Sequence, residues 1–307
     1  GRTGQMESES HIKPISAMRT QFLPSGVMAL KTQISFDLDG VLQQNPFRLG
    51  VFPHVCRALA PFIGAEEPEP ETAVRRLILG EAKRRLLDGR HVEAYDWDDI
   101  VASVANALGA RGAGAPDPAN LDIAALVRHY CEVPGMIRRL PGACEALCAL
   151  KEQGHPLIVI SNGYHKYQLP VLKALAIDGF FHDIVTPEQA GTAKPAPGIF
   201  RDAWRSRLAA GTPIHVGDDL IHDAWGARAA GGYSVWLHAA LPEHMRGASP
   251  EERPFLEGFA EARDAAYQRT FAVEAYPVPV SECMPHAVIW HLSELPALVA
   301  RITGAGQ

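Results

Sequence analysis

The chain lacks the features of a nucleic-acid or membrane protein. Its 307 residues carry 29 Lys and Arg against 35 Asp and Glu, a formal net charge of −6. Nucleic-acid affinity rests on clustered cations that neutralise backbone phosphates, so this balance excludes a general polyanion binder. No apolar run approaches the roughly 18 to 20 residues that a membrane helix needs. We therefore expect neither nucleic acid nor a membrane as a partner.

Cysteine is scarce, and no zinc or dinucleotide motif is present. The five cysteines show no CxxC spacing, which favours a reducing compartment over a disulfide scaffold. The 13 histidines form no HxxxH pattern and no cluster with cysteines, and no Gly-rich dinucleotide loop occurs. Residues 1–30 lack the apolar h-region of a secretory signal and are predicted to form an N-terminal tail. A cytoplasmic protein is the expectation.

Short β-type runs alternate with helical patterns along most of the chain. The runs are Thr32–Phe36, Pro156–Ile160, Asp183–Thr186, Pro213–Val216, Tyr233–Leu237 and Ala287–Trp290. Apolar residues at helical spacing fill Gly142–Gln153, His165–Ala176, Pro197–Ala209 and Ile221–Ala230. Strand and helix in alternation predict right-handed crossovers and a mostly parallel sheet. The predicted fold class is α/β, with a Rossmann-like doubly wound core.

Two stretches interrupt this alternation. Residues 45–139 are rich in helical pattern and poor in strands, which predicts an inserted α-helical cap domain. The core domain then comprises residues 31–44 and 140–305. Residues 240–283 form a second insertion with a weak pattern, for which a surface excursion or an oligomer contact is the default expectation. A monomer or a homodimer is expected.

The motif Phe36-Asp37-Leu38-Asp39-Gly40 ends the first apolar run. Side chains at i and i+2 of a strand share a face, so both carboxylates are able to point into one crevice. Crevices at the carboxyl ends of strands are where open α/β sheets bind ligands. Two carboxylates at this position suit acid chemistry on a phosphate.

Three further polar motifs follow later strands in the same way. The ordered set is Asp37 with Asp39, Ser161-Asn162-Gly163, Lys194-Pro195, and Gly217-Asp218-Asp219 with Asp223 beyond. Each motif alone is weak evidence, but the ordered set is strong. It resembles the haloacid dehalogenase superfamily, specifically the phosphatase branch with a helical cap after the first strand. The resemblance covers most of residues 34–237 and resumes at 286–300.

The resemblance implies a role for each of these side chains. Asp37 would be the nucleophile, and Asp39 would be the general acid and base. Ser161 would hydrogen-bond the transferring phosphoryl group, and Lys194 would neutralise and orient Asp37. A Mg²⁺ ion would be held by the Asp37 carboxylate, the Asp39 main-chain carbonyl and Asp218.

Electrostatics independently require such a set. A carboxylate that attacks a phosphate dianion meets like-charge repulsion, which is severe in a low-dielectric crevice without counter-charge. Mg²⁺ accepts oxygen ligands in octahedral geometry, and Lys194 supplies a compact ammonium. Attack by Asp37 would give an aspartyl-phosphate. Asp39 would protonate the leaving group and later accept a proton from the hydrolytic water.

The remaining motif residues are expected to bind substrate or to lie near the metal. Asn162 and Gly163 would present polar groups at the strand tip, since glycine lets the backbone approach an anion closely. Asp219 stands where the family often has Ser or Thr, and so places extra negative charge near the metal. Asp223 matches the second acidic position of the family, near the ion or paired with Lys194.

The leading hypothesis is a magnesium-dependent phosphatase for a small phosphorylated metabolite such as a nucleoside monophosphate or a sugar phosphate. Ser161-Asn162-Gly163-Tyr164 and Gln168 resemble the subgroup of pyrimidine nucleotidases and acylneuraminate phosphatases. A dehalogenase is disfavoured because the haloacid dehalogenases lack an acid at the position of Asp39. The alternatives are a mutase of the β-phosphoglucomutase type, a phosphonate hydrolase using Lys83, and a catalytically silent binding protein.

Overall fold

The computed structural model describes residues 31–110, 112–205 and 209–304. The predicted N-terminal tail, residues 1–30, lies outside these residues. The central sheet has six parallel strands: β1 (Ile34–Phe36), β4 (Leu157–Ile160), β5 (Asp183–Val185), β6 (Ile214–Gly217), β7 (Tyr233–Leu237) and β8 (Ala287–Ile289). A separate antiparallel ribbon is formed by β2 (Gln43–Gln44) and β3 (Arg138–Arg139). The order of strands across the central sheet is β5-β4-β1-β6-β7-β8. The predicted α/β class and parallel sheet are confirmed.

Helices surround the sheet and fill the interval between β1 and β4. They are α1 (Phe52–Leu59), α2 (Pro70–Leu87), α3 (Trp97–Ala107), α4 (Ile123–Cys131), α5 (Ala143–Glu152), α6 (His165–Ala174), α7 (Pro187–Ala190), α8 (Pro197–Ala203), α9 (Gly226–Ala229), α10 (Glu243–Arg246), α11 (Phe259–Tyr267) and α12 (Leu295–Ile302). Two π-helical turns, Phe47–Val51 and Leu220–Trp225, precede α1 and α9. The predicted helix Ile221–Ala230 is therefore a wide turn followed by a short α-helix.

Alternate strand residues build two apolar layers, one on each face of the sheet. Val159 of β4 belongs to the buried cluster that includes Leu147 of α5 and Leu298 of α12. Ile158, one position earlier, packs in a different cluster with Phe200 of α8. Because both faces are covered, the strands read as continuous apolar runs, as is usual for parallel sheets.

Helices α1 to α4 form their own apolar core. Val55, Ile78, Ile100 and Val127, one from each of these helices, are buried together. The same cluster includes Tyr164, Tyr167 and Val171, at the start of and within α6. Residues 52–131, which contain these four helices, are called the cap below. The core of the cap packs against the helix that follows β4, beside the carboxyl end of the sheet.

The segment 240–283 is packed against the rest of the molecule, contrary to the expected surface excursion. Its apolar side chains, among them Phe259 and Tyr276, share one buried cluster with Trp236 of β7. Leu86 and Ala94 of the cap belong to the same cluster. The segment was not recognised as core because its apolar residues are spread over short helices and turns with no single period.

Arg253 anchors this segment with a buried charge. Its side chain is 1 % exposed, and its Nη1 and Nη2 atoms lie 3.0 and 2.8 Å from the two carboxylate oxygens of Glu294. The guanidinium also donates to the carbonyl oxygens of Met245, Arg246 and Val288. Bidentate pairing with further backbone acceptors satisfies the buried charge.

Within the described residues, no helix combines the length and the apolar character needed to cross a membrane.

Candidate active site

The carboxyl ends of β1, β4 and β6 bring the predicted motifs together. Asp37 directly follows β1, and its backbone N–H donates to the carbonyl of Val216 in β6 at 2.9 Å. Gly40 has φ +85°, and a Cβ there would lie 2.3 Å from Oδ2 of Asp218. The turn after the two aspartates favours glycine because its φ lies in the left-handed region, and a side chain there would also displace the carboxylate of Asp218.

Lys194 lies between two carboxylates at the floor of this edge. Its Nζ is 2.9 Å from Oδ1 of Asp37 and 2.7 Å from Oδ1 of Asp223, and its side chain is 3 % exposed. Burial opposes the ammonium, but Asp223 and Asp37 raise the pKa of Lys194. Burial also works against ionised Asp223, yet Lys194 and His215 hold the pKa of Asp223 below its usual range.

Burial dominates at Asp37 itself. Desolvation raises the pKa of Asp37 to about 7 despite the attraction of Lys194. The negative charge of Asp223 adds to this increase. The single ammonium of Lys194 therefore does not fully offset the negative charge of the buried carboxylates. A second cation bound beside Asp37 would be stabilised by that remaining charge.

A series of hydrogen bonds between buried side chains holds Asp223 in place. His215 Nε2 lies 2.9 Å from Asp223 Oδ1, and His215 Nδ1 lies 2.8 Å from Ser35 Oγ. The indole Nε1 of Trp204 donates to the same serine oxygen at 3.1 Å. The sequence pattern had not singled out His215. Its position within β6, eight residues before Asp223, carried no sequence signal of this contact.

Asp39 is held by two glutamine amides. Gln168 Nε2 donates to Asp39 Oδ2 at 2.7 Å and to Ser161 Oγ at 2.8 Å. Gln43 Nε2 donates to Asp39 Oδ1 at 3.1 Å and to the side-chain Oε1 of Gln168 at 3.0 Å. Burial raises the pKa of Asp39, although both amide hydrogen bonds oppose the shift. Gln168 was noted in the sequence as part of a subgroup pattern, whereas Gln43 was missed.

The Ser161-Asn162-Gly163 motif follows β4 and faces the same cleft. Ser161 Oγ accepts hydrogen bonds from Gln168 and from the Gly163 backbone N–H, at 3.0 Å for the latter. Its hydroxyl proton is thereby directed toward another acceptor. The Asn162 side chain bonds the backbone N–H and carbonyl of Lys194 at 2.8 and 3.0 Å. Asn162 therefore positions the lysine loop.

The acidic cluster Asp37, Asp218 and Asp223 has the geometry of a cation site. One carboxylate oxygen from each lies within 4.8 Å of the others. Asp218 is exposed, yet desolvation by the surrounding protein and the charge of Asp37 raise its pKa well above the usual value. Asp223 already pairs with Lys194 and His215. Asp37 and Asp218 are thus the carboxylates left to bind an added cation, and oxygen donors of this kind suit Mg²⁺.

Asp219 fulfils a local structural role beside this cluster. Its Oδ1 accepts from the backbone N–H groups of Ile221 and His222, at 2.9 and 2.8 Å, and caps the π-helical turn. Its Oδ2 accepts from Thr270 of the segment 240–283 at 3.0 Å. Burial opposes ionisation, but His222 holds the pKa of Asp219 below its usual value.

These residues open into a cleft of about 290 Å³ between the sheet edge and the cap. The predicted residues Asp37, Asp39, Ser161, Asn162, Gly163, Lys194, Asp219 and Asp223 line it. Asp218 borders a neighbouring depression with Gly40 and Thr270. Lys83, the lysine considered for phosphonate chemistry, lies outside the cleft and forms an ion pair with Glu274.

The molecule combines a mostly parallel α/β sheet, a helical insertion after its first strand, and convergent carboxylates with one buried lysine, which is the arrangement of an α/β hydrolase. The chain belongs to the haloacid dehalogenase-like hydrolase family, whose sequence pattern matches residues 33–231.

Related proteins include phosphatases. The chain is 35% identical over 114 residues to haloacid dehalogenase-like hydrolase domain-containing protein 3 of Xenopus laevis, covering 37% of this chain and 46% of that protein. It is 35% identical over 102 residues to glyceraldehyde 3-phosphate phosphatase of Pyrococcus abyssi, covering 33% of this chain and 43% of that protein. The matches thus span about half the length of these relatives.

A solved structure shares the fold over most of the chain. The HAD phosphatase from Thermococcus onnurineus aligns with a TM-score of 0.58 and 20% sequence identity. The alignment covers 87% of this chain and 97% of that one. At this level of identity, the likeness establishes the common fold.

Proposed function

We propose that the protein is a magnesium-dependent phosphatase that hydrolyses a small phosphorylated metabolite through an aspartyl-phosphate on Asp37. The observation that carries the proposal is the position of Lys194, shared between Asp37 and Asp223 at the floor of the cleft. A buried ammonium at this point orients the nucleophilic carboxylate and offsets its repulsion of a phosphate. The phosphatases among the related proteins support a small phosphate ester as the substrate.

The nucleophile and the acid lie on the same turn with different surroundings. Asp37 attacks phosphorus, and the bond from phosphorus to the alkoxide oxygen breaks. Asp39 gives its proton to that oxygen. Burial raises the pKa of Asp39, which favours the protonated form that this step needs. Water then cleaves the acyl-phosphate and returns a proton to Asp39.

Hydrogen-bond donors at the tip of β4 position the phosphoryl group. Ser161 Oγ already accepts two hydrogen bonds, so its proton is available to a phosphoryl oxygen. Donors fixed before substrate arrives need no reorganisation during the reaction, which makes them effective in stabilising the developing charge. Asn162 contributes by holding Lys194 in place.

Mg²⁺ would be held by the carboxylates of Asp37 and Asp218 and by the main-chain carbonyl of Asp39. When bound, it would supply positive charge against the phosphoryl oxygens. The cluster of three carboxylates around one ammonium supports this choice. The chain's own contribution is the Gly40 turn, which lets Asp218 approach the motif closely.

Phosphate release from p-nitrophenyl phosphate with Mg²⁺ tests the proposal. Asp37→Asn should reduce turnover to background, while Asp183→Asn, an exposed carboxylate at the sheet edge, should retain it. Turnover by Asp37→Asn would contradict the assigned nucleophile. A mutase would keep the phosphate organic, so a panel of sugar phosphates scored by free phosphate separates the two reactions.

A further inference from the structure

Four aromatic rings form a continuous wall above the phosphate end of the cleft. Phe47, Phe52, Trp97 and Tyr167 all line the cleft. Phe47 has its ring centroid 5.3 Å from Phe52, 6.2 Å from Trp97 and 5.7 Å from Tyr167, and Phe52 lies 5.2 Å from Trp97. Phe47 and Trp97 are partly exposed whereas Phe52 and Tyr167 are buried, so the first two rings supply most of the apolar surface and the other two support them.

Basic side chains in the cleft are few, and each is paired with a carboxylate. Among the described residues that line it, Lys194 is the one lysine or arginine, and two carboxylates already match its charge. The Nζ atom of Lys166 lies 5.0 Å from the ring centroid of Tyr167, but it is ion-paired with Oδ2 of Asp98 at 2.7 Å. His222 also lines the cleft, and its Nδ1 lies 3.3 Å from Oδ1 of Asp219, so this imidazole is matched by a carboxylate as well. A second anionic group on a substrate would therefore meet the carboxylate of Asp219 beside the imidazole.

We infer that the substrate is a monophosphate ester of a neutral alcohol that carries a flat apolar ring. The inference rests on the proposed phosphatase function and names the substrate class of the same site. The ring packs on the aromatic wall while the phosphate reaches Asp37 and Lys194. A cleft of about 290 Å³ lies at the lower end of the range for small-molecule sites, which favours a compact leaving group.

The packing of the wall also argues against a cationic leaving group. An ammonium recognised by aromatic residues sits over ring faces, within about 6 Å of each centroid. Phe47 and Tyr167 meet edge to face at 84°, and Phe52 and Trp97 do so at 82°. In addition, Arg75 lies over the Phe52 ring at 5.5 Å and Lys166 over the Tyr167 ring at 5.0 Å, so cationic side chains of the protein already lie over two of the four rings.

Matched alkyl phosphates test the inference, since their leaving groups need similar protonation. The substrates are 2-phenylethyl phosphate, ethyl phosphate, choline phosphate and phosphoglycolate, with kcat/KM measured by phosphate release. We expect the phenylethyl ester to exceed ethyl phosphate by roughly tenfold. Phosphoglycolate should be the poorest substrate. Equal values for the first two esters, or a preference for choline phosphate or phosphoglycolate, would overturn the inference.

Variants identify the wall as the source of the preference. Trp97→Leu keeps an apolar side chain but removes a ring, so the ratio of kcat/KM for phenylethyl phosphate to that for ethyl phosphate should fall severalfold. Phe255→Leu is the matched control, because Phe255 is 83% exposed and lies outside the cleft. Phe47→Arg should raise the relative kcat/KM for phosphoglycolate. An unchanged preference in Trp97→Leu would contradict the assigned surface.

Binding separates this inference from the phosphatase assignment. Calorimetric titration of Asp37→Asn with the same esters measures their affinity without turnover. Tighter binding of the phenylethyl ester supports the aromatic wall even if no ester is hydrolysed, in which case the proposed function alone fails. Equal affinities for phenylethyl and ethyl phosphate would remove the aromatic wall as a determinant whatever the turnover.

Discussion

The ammonium of Lys194 lies 2.9 Å from Oδ1 of Asp37, with almost no access to solvent. Lys194→Met keeps the length of the side chain but leaves the carboxylates of Asp37 and Asp223 without their cation. We expect kcat/KM to fall by about 10³-fold and the free energy of unfolding to fall by about 3–5 kcal/mol. Phosphate release and urea titration measure the two effects. Lys151→Met, at an exposed lysine, should change neither, and a Lys194→Met enzyme within tenfold of the parent would refute the role.

Metal binding should stabilise the protein as well as activate it. A ligand at one hundred times its Kd adds about 2.7 kcal/mol to the free energy of unfolding. Mg²⁺ should therefore raise the melting temperature, and EDTA should reverse both the shift and the activity. Asp218→Asn should lose most of the shift, whereas Asp183→Asn should keep it. An equal shift in Asp218→Asn would place the ion elsewhere.

Gln168 is a positioning residue, because it touches Asp39 and Ser161 rather than the phosphate. Gln168→Leu removes the amide at 2.7 Å from Asp39 Oδ2. We expect roughly a hundredfold loss of kcat with an alkyl phosphate. The loss should be much smaller with p-nitrophenyl phosphate, whose leaving group needs little protonation. Gln153→Leu, an exposed site, is the control, and equal losses on both substrates would indicate a merely structural role.

His155 should make the protein less stable in acid. Its side chain is buried, its Nδ1 lies 2.8 Å from the carbonyl of Thr32, and burial lowers its pKa below the usual 6.5. The unfolded chain then binds a proton that the folded state resists, so stability is lost as the pH falls through about 6.5. His155→Asn removes this contribution. Urea unfolding gives the free energy of unfolding of the parent protein and of the variant at each pH. The parent should lose stability relative to the variant as the pH falls from about 7.5 to about 5.5. A difference that stays constant with pH would argue against a depressed pKa of His155.

Arg253 should matter for stability far more than a surface arginine. Arg253→Met leaves Glu294 without its buried partner and frees three backbone carbonyls, at a cost of about 3–5 kcal/mol. Arg301, half exposed and paired with Glu251, should cost less than about 1 kcal/mol when changed to Met. Urea unfolding of the two variants makes the comparison. If both variants lost a similar free energy of unfolding, the burial of Arg253 would make no extra contribution to stability.

The fold was predictable because its signals are local. Apolar runs such as Leu157–Ile160 are short and continuous, as buried parallel strands require, and helical spacing fills the intervals between them. The site motifs were recognisable because three of them stand directly after one of these strands and Lys194 stands in the connection that follows β5. Strand order along the sheet then brings the ends of β1, β4 and β6 side by side.

The supporting contacts were not predictable, because they depend on how distant segments meet. His215 looks like any strand residue until α8 places Trp204, and β1 places Ser35, around the same buried network. Gln43 acquires its role only when α6 presents Gln168. The segment 240–283 has no helical or strand period, so its packing against the cap had no sequence signature.

That segment has a consequence for any attempt to exchange caps between relatives. Leu86 and Ala94 of the cap are buried against it, and Lys83 is ion-paired with Glu274. A transplanted cap would meet a surface shaped for these particular side chains and would leave apolar atoms open to water. Residues 240–283 would therefore have to be exchanged together with the cap, although residues 132–239 separate the two in the chain.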